Sequence, residues 1–111
     1  MTTQNIAVVG NMTITRTNVI ANRTNSIEVG LVKAMMIERL KDKLMNGVAH
    51  FYFQKKNGEI REAWGTTNPA LAKAMTNGRG ESRELYATTA FYDVTLGQWR
   101  SFRWESLLSV E

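Results

Sequence analysis

The chain has 111 residues, the length of one domain, and its 43 % hydrophobic residues are enough for one modest core. It contains no cysteine and one histidine, His50, which excludes disulfides, thiol nucleophiles and metal sites built from clusters of Cys or His. The net charge of +4 either favours anionic partners such as nucleic acids or serves only solubility.

Residues 1–25 are rich in Thr and Asn, and Met12, Ile14 and Arg16 alternate with threonines. This period of two predicts strand structure. Two arrangements remain open: a hairpin that closes at Gly10-Asn11, or a partly ordered arm that pairs with a neighbouring subunit. The first ten residues lack the features of a signal peptide, and no apolar run in the chain approaches the ~18 residues of a membrane span. We therefore expect a cytoplasmic protein with no membrane association.

Residues 26–45 carry the clearest helical pattern. Ser26 is a good N-cap, Glu28 lies in the first turn where the helix dipole favours an acid, and Asn46-Gly47 closes the helix. The apolar stripe that we expect to face the core comprises Ile27, Leu31, Met35, Leu40 and Leu44, broadened by Val32, Met36 and Ile37. Packing in the core is the simpler interpretation of this methionine-rich stripe, and a groove for a partner is the alternative.

From residue 47 onwards the hydrophobic period changes to two. Predicted strands span residues 48–55, 59–67, 84–94 and 98–104. Asn57-Gly58 joins the first two strands in a tight hairpin, because a type I′ turn needs positive φ at both central residues. A short helix is predicted over 69–76, followed by a loop at 77–80. Residues 105–110 form either a terminal helical turn that plugs one end of a barrel or a short last strand.

This order of elements predicts an α+β fold, a small curled antiparallel β-barrel with one amphipathic N-terminal helix and a short inserted helix. Residues 26–111 would form this single domain, and residues 1–25 would be the arm or hairpin.

Two segments in this order resemble a family of small SH3-like β-barrel proteins from Bacteroides-group gut bacteria and their phages. They are K-K-N-G-E-I-R-E-A-W-G-T-T-N-P at 55–69 and F-Y-D-V-T-L-G-Q-W-R-S-F-R at 91–103. The resemblance covers roughly residues 38–108. It implies an SH3-like fold and a bacterial cytoplasmic or phage setting. It implies no enzymatic activity and assigns no ligand residues.

Groups suited to catalysis are scarce. The available nucleophiles are Ser, Thr, Tyr and Lys, and their activating base would have to be His50. His50 lies in a predicted strand beside Phe51 and Tyr52 and is better explained as a structural or interface residue. The acidic residues show no spacing typical of a catalytic carboxylate pair, and residues 77–80 lack the Lys-Ser/Thr of a P-loop. We therefore predict a protein that is not an enzyme and has no cofactor or metal.

Aromatic and basic residues interleave at 99–104, W-R-S-F-R-W. In a strand, Trp99 and Arg103 share one face, whereas Arg100, Phe102 and Trp104 share the other. Rings stack on bases and guanidinium groups bind phosphates with two hydrogen bonds, although Phe102 and Trp104 are also good core residues. The predicted ligand residues of this strand and of the neighbouring hairpin are Trp99, Arg100, Arg103, Arg61 and Trp64.

Two further segments could hold a phosphate. Thr66, Thr67 and Asn68 follow a predicted strand and precede a predicted helix, where backbone N–H groups and hydroxyls can bind an anion. An ordinary capped turn is the alternative. Arg79 and Arg83 flank the glycine-rich loop and could close over an anion, or the loop is simply a variable tip.

Two functions of different classes follow. The first is a non-enzymatic binding protein for a phosphate-bearing ligand, either a nucleotide or a nucleic acid. In a phage it could sequester a nucleotide immune signal of the host. The second is a protein–protein module in which residues 1–45 make a homo-oligomer or dock on a host or phage protein. Both functions hold together if the ligand site lies between subunits.

Overall fold

The computed structural model describes residues 2–72 and 87–111, with side chains described from residue 12 onwards. Two helices lead into a five-stranded antiparallel sheet. The elements are α1 (Thr2–Thr24), α2 (Ile27–Asn46), β1 (Ala49–Gln54), β2 (Ile60–Thr66), β3 (Thr88–Asp93), β4 (Gln98–Arg103), a 3₁₀ turn (Trp104–Ser106) and β5 (Leu107–Val110). The predicted α+β class is confirmed.

The N-terminal segment is a helix, so both predicted strand arrangements for residues 1–25 are wrong. Arg16, Thr17 and Ile20 are buried, which is the spacing of one helical face. The hydroxyl of Thr17 donates to the carbonyl of Thr13, and that of Thr24 donates to the carbonyl of Ile20. Packing of this face on α2 and on the 3₁₀ turn outweighs the β-propensity of the threonines.

The predicted second helix is confirmed, but part of its predicted core face is wrong. The Ser26 hydroxyl caps α2 by accepting a hydrogen bond from the Val29 N–H at 3.1 Å. The buried face comprises Gly30, Ala34, Ile37, Leu40 and Leu44, whereas Ile27, Leu31, Val32 and Met35 are at least half exposed.

Small residues explain this rotation of the buried face. A Cβ added at Gly30 would lie 2.5 Å from the Thr17 carbonyl oxygen on α1. The two helices therefore cross where α2 has no side chain, and the larger apolar residues are turned outwards.

The sheet is open, which corrects the predicted closed barrel. Its strand order is β4-β3-β2-β1-β5, so that β4 and β5 are the two edges. The chain passes from β4 to β5 through the 3₁₀ turn, and β5 then pairs with β1 rather than with β4. The alternative of a short last strand is thereby confirmed. Of the predicted inserted helix, residues 69–71 form a turn and 73–76 lie outside the described residues.

The inner face of the sheet forms the core together with α2. Four phenylalanine rings pack with centroids 4.9–6.2 Å apart: Phe51, Phe53, Phe91 and Phe102. Gly65 leaves room for the Phe91 ring, which a Cβ at that position would overlap. The outer face carries His50, Tyr52, Trp64, Tyr92 and Trp99, and these side chains are partly or largely exposed.

Candidate anion-binding cleft

A cleft of about 930 Å³ lies where the sheet is open, and we call it the seam cleft. The β1–β2 hairpin supplies Lys55 and Lys56, and β4 supplies Arg100 and Arg103. The 3₁₀ turn contributes Glu105. Four basic side chains and one carboxylate thus line the cleft, an arrangement that concentrates positive potential in a concave site.

Arg100 is the central side chain of the seam cleft. It stands opposite Phe91 in the β3–β4 register, on the inner face, and is half-buried. Its Nε is buried and has no hydrogen-bond partner among the described residues. A buried donor without a partner costs about 1–3 kcal/mol, and more when the group is charged. An anion in the cleft would supply the missing acceptor.

The indole Nε1 atoms of Trp99 and Trp104 also have no partner in the described part of the chain. They differ from Arg100 in charge and in position. Trp104 is 1 % exposed in the core, and Trp99 lies on the outer face. Neither residue lines the seam cleft.

The remaining cations of the seam cleft are only weakly paired. Lys55 Nζ lies 3.5 Å from Glu59 Oε1, and Arg103 Nη1 lies 3.7 Å from Glu105 Oε2. Exposed pairs at such distances contribute about 0–1 kcal/mol, so the carboxylates hold these cations only weakly. The hairpin fixes the lysines: Lys55 and Glu59 are joined through their backbones, and Gly58 adopts a φ of 93° that favours glycine.

Glu105 ties the seam cleft to the helices. Its carboxylate accepts a hydrogen bond from Arg23 on α1 at 2.7 Å, and its carbonyl accepts one from Lys33 on α2 at 2.7 Å. Burial lowers the pKa of Lys33, while the Glu105 carboxylate acts in the opposite direction. Glu105, which forms part of one wall of the cleft, is therefore held in place by side chains of both helices.

Of the residues predicted as ligands in β4, Arg100 and Arg103 both line the seam cleft and Trp99 does not. Arg100 lies on the inner face and Arg103 on the outer face of this edge strand, so the cleft extends around the edge of the sheet. The predicted alternation of faces along this strand is confirmed by the register. Trp99 packs against Tyr92 on the outer face, with ring centroids 5.9 Å apart. Arg61 lies on the inner face with Nη2 4.0 Å from Asp93 Oδ2, away from the cleft lining.

Trp64 belongs to a separate cluster on the outer face. Its ring stacks on His50 at 4.6 Å between centroids, with an interplanar angle of 1°. Glu62 Oε2 lies 2.7 Å from His50 Nε2 and accepts a hydrogen bond from the Tyr52 hydroxyl at 3.0 Å. These hydrogen bonds, from His50 first and then Tyr52, lower the pKa of Glu62, and the bond to Glu62 raises the pKa of Tyr52.

The predicted phosphate cradle at Thr66, Thr67 and Asn68 holds the end of α2. The Thr66 hydroxyl and the Thr67 N–H both donate to the Leu44 carbonyl at 3.0 Å. Asn68 Nδ2 donates to the Met45 carbonyl. These groups satisfy helix carbonyls that would otherwise lack partners, and a role in ligand binding stays a prediction. Arg79 and Arg83 lie outside the described residues.

Lys55 and Lys56 were missed as candidates, although the sequence carries a signal for them. Two consecutive lysines stand directly before Asn57-Gly58, which places two cations at the tip of a hairpin. The segment 99–104 was predicted to bind a ligand partly through its aromatic rings. Trp99 and Trp104 lie outside the cleft, and Phe102 lies in its floor.

Comparison with known proteins places the chain in a family. Residues 37–108 match the model of the WYL_2 family, described as an Sm-like SH3 β-barrel fold, and the chain belongs to that family. An uncharacterised 11.5 kDa protein of the Gp31–cd intergenic region of Enterobacteria phage T4 is 37 % identical over 81 residues, covering 70 % of this chain and 79 % of the relative. The predicted SH3-like family with phage members is therefore confirmed. No solved structure matches with significance.

Within the described ranges, neither helix is long and apolar enough to cross a membrane. The same residues contain no group of three or more His, Cys, Asp or Glu side chains arranged to hold a metal ion.

Proposed function

We propose that this protein binds a phosphate-bearing ligand, a nucleotide or a nucleic acid, in the seam cleft and performs no catalysis on it. The observation that supports this proposal is the half-buried Arg100, whose Nε lacks a partner among the described residues while three further cations line the same cleft. A guanidinium group without its own carboxylate is suited to hold a phosphate with two hydrogen bonds.

The composition of the cleft favours recognition of phosphate over recognition of a base. Phe53 and Phe102, the aromatic residues in its lining, are both 4 % exposed and form its floor rather than a surface for stacking. The lysines approach from the hairpin and the arginines from β4, so that an extended or multiply charged phosphate group could be held from two sides.

The phage relative gives this proposal a biological setting. We propose that the protein acts in the cytoplasm of a bacterial host, where it sequesters a nucleotide that signals immunity. A binding protein without catalytic groups suits this role, because capture alone lowers the free concentration of a signal. An origin in Bacteroides-group bacteria or their phages belongs to the same proposal.

Isothermal titration of the full chain tests the ligand. The probes are pyrophosphate, a panel of cyclic nucleotides and a short single-stranded oligonucleotide, each at low and at physiological salt. Arg100→Gln should weaken binding of the best probe by about 10- to 100-fold, the loss expected for one charge-assisted hydrogen bond. Lys43→Gln is the matched control, because it removes an exposed positive charge at the end of α2, away from the cleft.

Two outcomes would contradict ligand capture. One is weak, salt-sensitive binding of every probe without preference, which is the behaviour of any basic surface. The other is equal binding by the Arg100→Gln and Lys43→Gln proteins. Preference for the oligonucleotide over the cyclic nucleotides would retain the cleft and replace the immune signal with a nucleic acid as the ligand.

The second candidate function, a protein–protein module, gains support from a different region. Ile27, Leu31, Val32 and Met35 on α2 are exposed apolar side chains, between 50 % and 62 % accessible. Such a concentration on one short helical segment is typical of an interaction surface. The partner would be a second copy of the chain, or a host or phage protein.

A further inference from the structure

One side of α2 is exposed in the described part of the chain and has its own pattern. Counting from Glu28, positions 28, 32, 35 and 39 recur at intervals of four, three and four, so that they form one stripe along the helix. We call this set, with the adjacent Leu31, the α2 stripe: Glu28, Leu31, Val32, Met35 and Arg39. All five residues are exposed.

The centre of the α2 stripe is apolar and its two ends carry opposite charges. Leu31, Val32 and Met35 are 50 %, 57 % and 59 % exposed. Glu28 lies one turn before them and Arg39 one turn after, and neither makes an ion pair with the side chains described here. The core does not need this face, because α2 packs on α1 and the sheet through its opposite side.

This charge pattern distinguishes the two ways in which the stripe could meet a copy of itself. A parallel pair would set Glu28 against Glu28 and Arg39 against Arg39. In an antiparallel pair, Glu28 of each copy meets Arg39 of the other, and the same register sets Val32 opposite Met35. The apolar centre and both charged ends are then satisfied together, as a two-fold axis requires.

Two neighbouring charges do not disturb this pairing. Asp42 and Lys43 follow Arg39 with opposite signs, and in the antiparallel register they lie beyond Ile27, the first residue of the facing helix. Across the paired length, from residue 28 to 39, the helix extends about 17 Å at 1.5 Å per residue.

We propose that the protein forms a homodimer in which α2 packs antiparallel on α2 of a second copy through the α2 stripe. The proposal deepens the protein–protein alternative. It does not depend on ligand capture in the seam cleft, because none of the α2 stripe residues lines that cleft. Self-complementarity is the reason to prefer a second copy to a host protein, since an unrelated partner imposes no such symmetry on the charges.

Sedimentation velocity of the full chain over a series of concentrations provides the test. The wild-type chain should dimerise reversibly, and Met35→Glu should weaken the dimer by at least about tenfold, because it places two carboxylates in the apolar centre. Ile60→Glu is the matched control: it makes the same kind of change at a residue 67 % exposed on β2 and should leave the dimer intact. Circular dichroism and thermal melting confirm that each variant is folded.

Charge reversal tests the direction of packing. Glu28→Arg and Arg39→Glu should each weaken the dimer by about 3- to 10-fold, because each change sets like charges together at both ends of the interface. The double variant exchanges the charges and should return the dimer to within about twofold of the wild type. Arg100→Gln should dimerise as the wild type does, which separates loss of the dimer from loss of ligand binding.

Three results would overturn the proposal. A wild-type chain that stays monomeric at the highest soluble concentration would assign the stripe to a different partner. A dimer that survives Met35→Glu would place the interface elsewhere. A double charge variant no stronger than the single variants would exclude the antiparallel register.

Discussion

Arg16 and Arg100 both lie near the 3₁₀ turn, and the structure holds them in opposite ways. Arg16, at the junction of α1 with α2 and the 3₁₀ turn, is 2 % exposed, and its Nη1 lies 2.7 Å from Glu38 Oε2. Its guanidinium carbon also lies 5.6 Å from the ring centroid of Trp104. Arg100, in the seam cleft, is half-buried, and its Nε has no partner among the described residues.

The difference separates a charge that is paired within the fold from one whose Nε has no partner among the described residues. Burial of Arg16 is tolerated because Glu38 and the Trp104 ring compensate the loss of water. The buried Nε of Arg100 has no such partner among the described residues, so its burial lowers the stability of the fold and no described contact offsets the loss. The structural Arg16 and the proposed ligand residue Arg100 therefore differ in their partners as well as in their burial.

The largest effect is expected at Trp104, on which the junction depends. Trp104→Ala should lower the free energy of unfolding by about 3–5 kcal/mol, because it empties a site that is 1 % exposed and removes the ring beneath Arg16. Urea denaturation measures the loss. A change below about 1 kcal/mol would mean that α1 does not depend on this contact.

The next largest effect compares the two arginines directly. Arg16→Gln should lower the free energy of unfolding by about 1.5–3 kcal/mol, the usual contribution of a hydrogen bond to a charged group. Arg100→Gln should leave it unchanged or raise it by up to about 1–3 kcal/mol, since it removes no described pairing and takes away a buried donor without a partner. Both values come from the same urea titrations. Equal losses in the two variants would remove the distinction between the junction and the cleft.

Glu105 links the two regions and should respond with a smaller effect of mixed sign. Glu105→Gln removes the carboxylate from the seam cleft, so binding of pyrophosphate or the best nucleotide probe should tighten by about two- to fivefold at low salt. Stability should fall by up to about 1 kcal/mol through the loss of the pair with Arg23. Asp42→Asn, an exposed site on α2, is the control for net charge.

Weaker binding by the Glu105→Gln protein would contradict this account of Glu105. It would mean that the carboxylate positions Arg103 for the ligand rather than competing with the ligand for it.

The sequence was sufficient for elements whose local pattern agrees with their packing. The Ser26 cap, the existence of a hairpin at Asn57-Gly58 and the alternation along β4 all follow from rules that involve a few neighbouring residues. The predicted type I′ turn is wrong, because Gly58 has a positive φ and Asn57 does not. The Gly58 N–H donates to the Lys55 carbonyl, which places Lys56 and Asn57 at the centre of the turn. The predicted set of four strands also stands, and the open choice at 105–110 was resolved by the pairing of β5 with β1.

Apart from the turn type at Asn57-Gly58, the errors have one physical origin, which is packing between distant parts of the chain. The threonine alternation in residues 12–17 has the period of a strand, and packing of the buried α1 face on α2, which is close where Thr17 meets Gly30, makes a helix the better choice. Gly30 and Ala34 belong to the buried face of α2, but their small side chains add little to an apolar pattern in the sequence. Likewise, no local rule joins Lys55 to Arg100, because they meet only across the opening of the sheet.

The smallest expected effect concerns Glu62. Like Glu38, which pairs with Arg16, Glu62 is hydrogen-bonded, but it lies on the exposed outer face of the sheet. Hydrogen bonds from His50 and Tyr52 lower the pKa of Glu62, so any stabilisation is present above the ordinary carboxyl pKa and is lost as the pH falls through the lowered value. The raised pKa of Tyr52 has the opposite sign, and its contribution is lost only as the pH rises through that raised value. Glu62→Gln should therefore shift the pKa of Tyr52 back down in an NMR titration while leaving neutral-pH stability nearly unchanged. A Tyr52 titration identical to that of the wild type would show that Glu62 is not paired with Tyr52 in solution. The contrast between paired and unpaired charges would then hold only for buried groups such as Arg16 and Arg100.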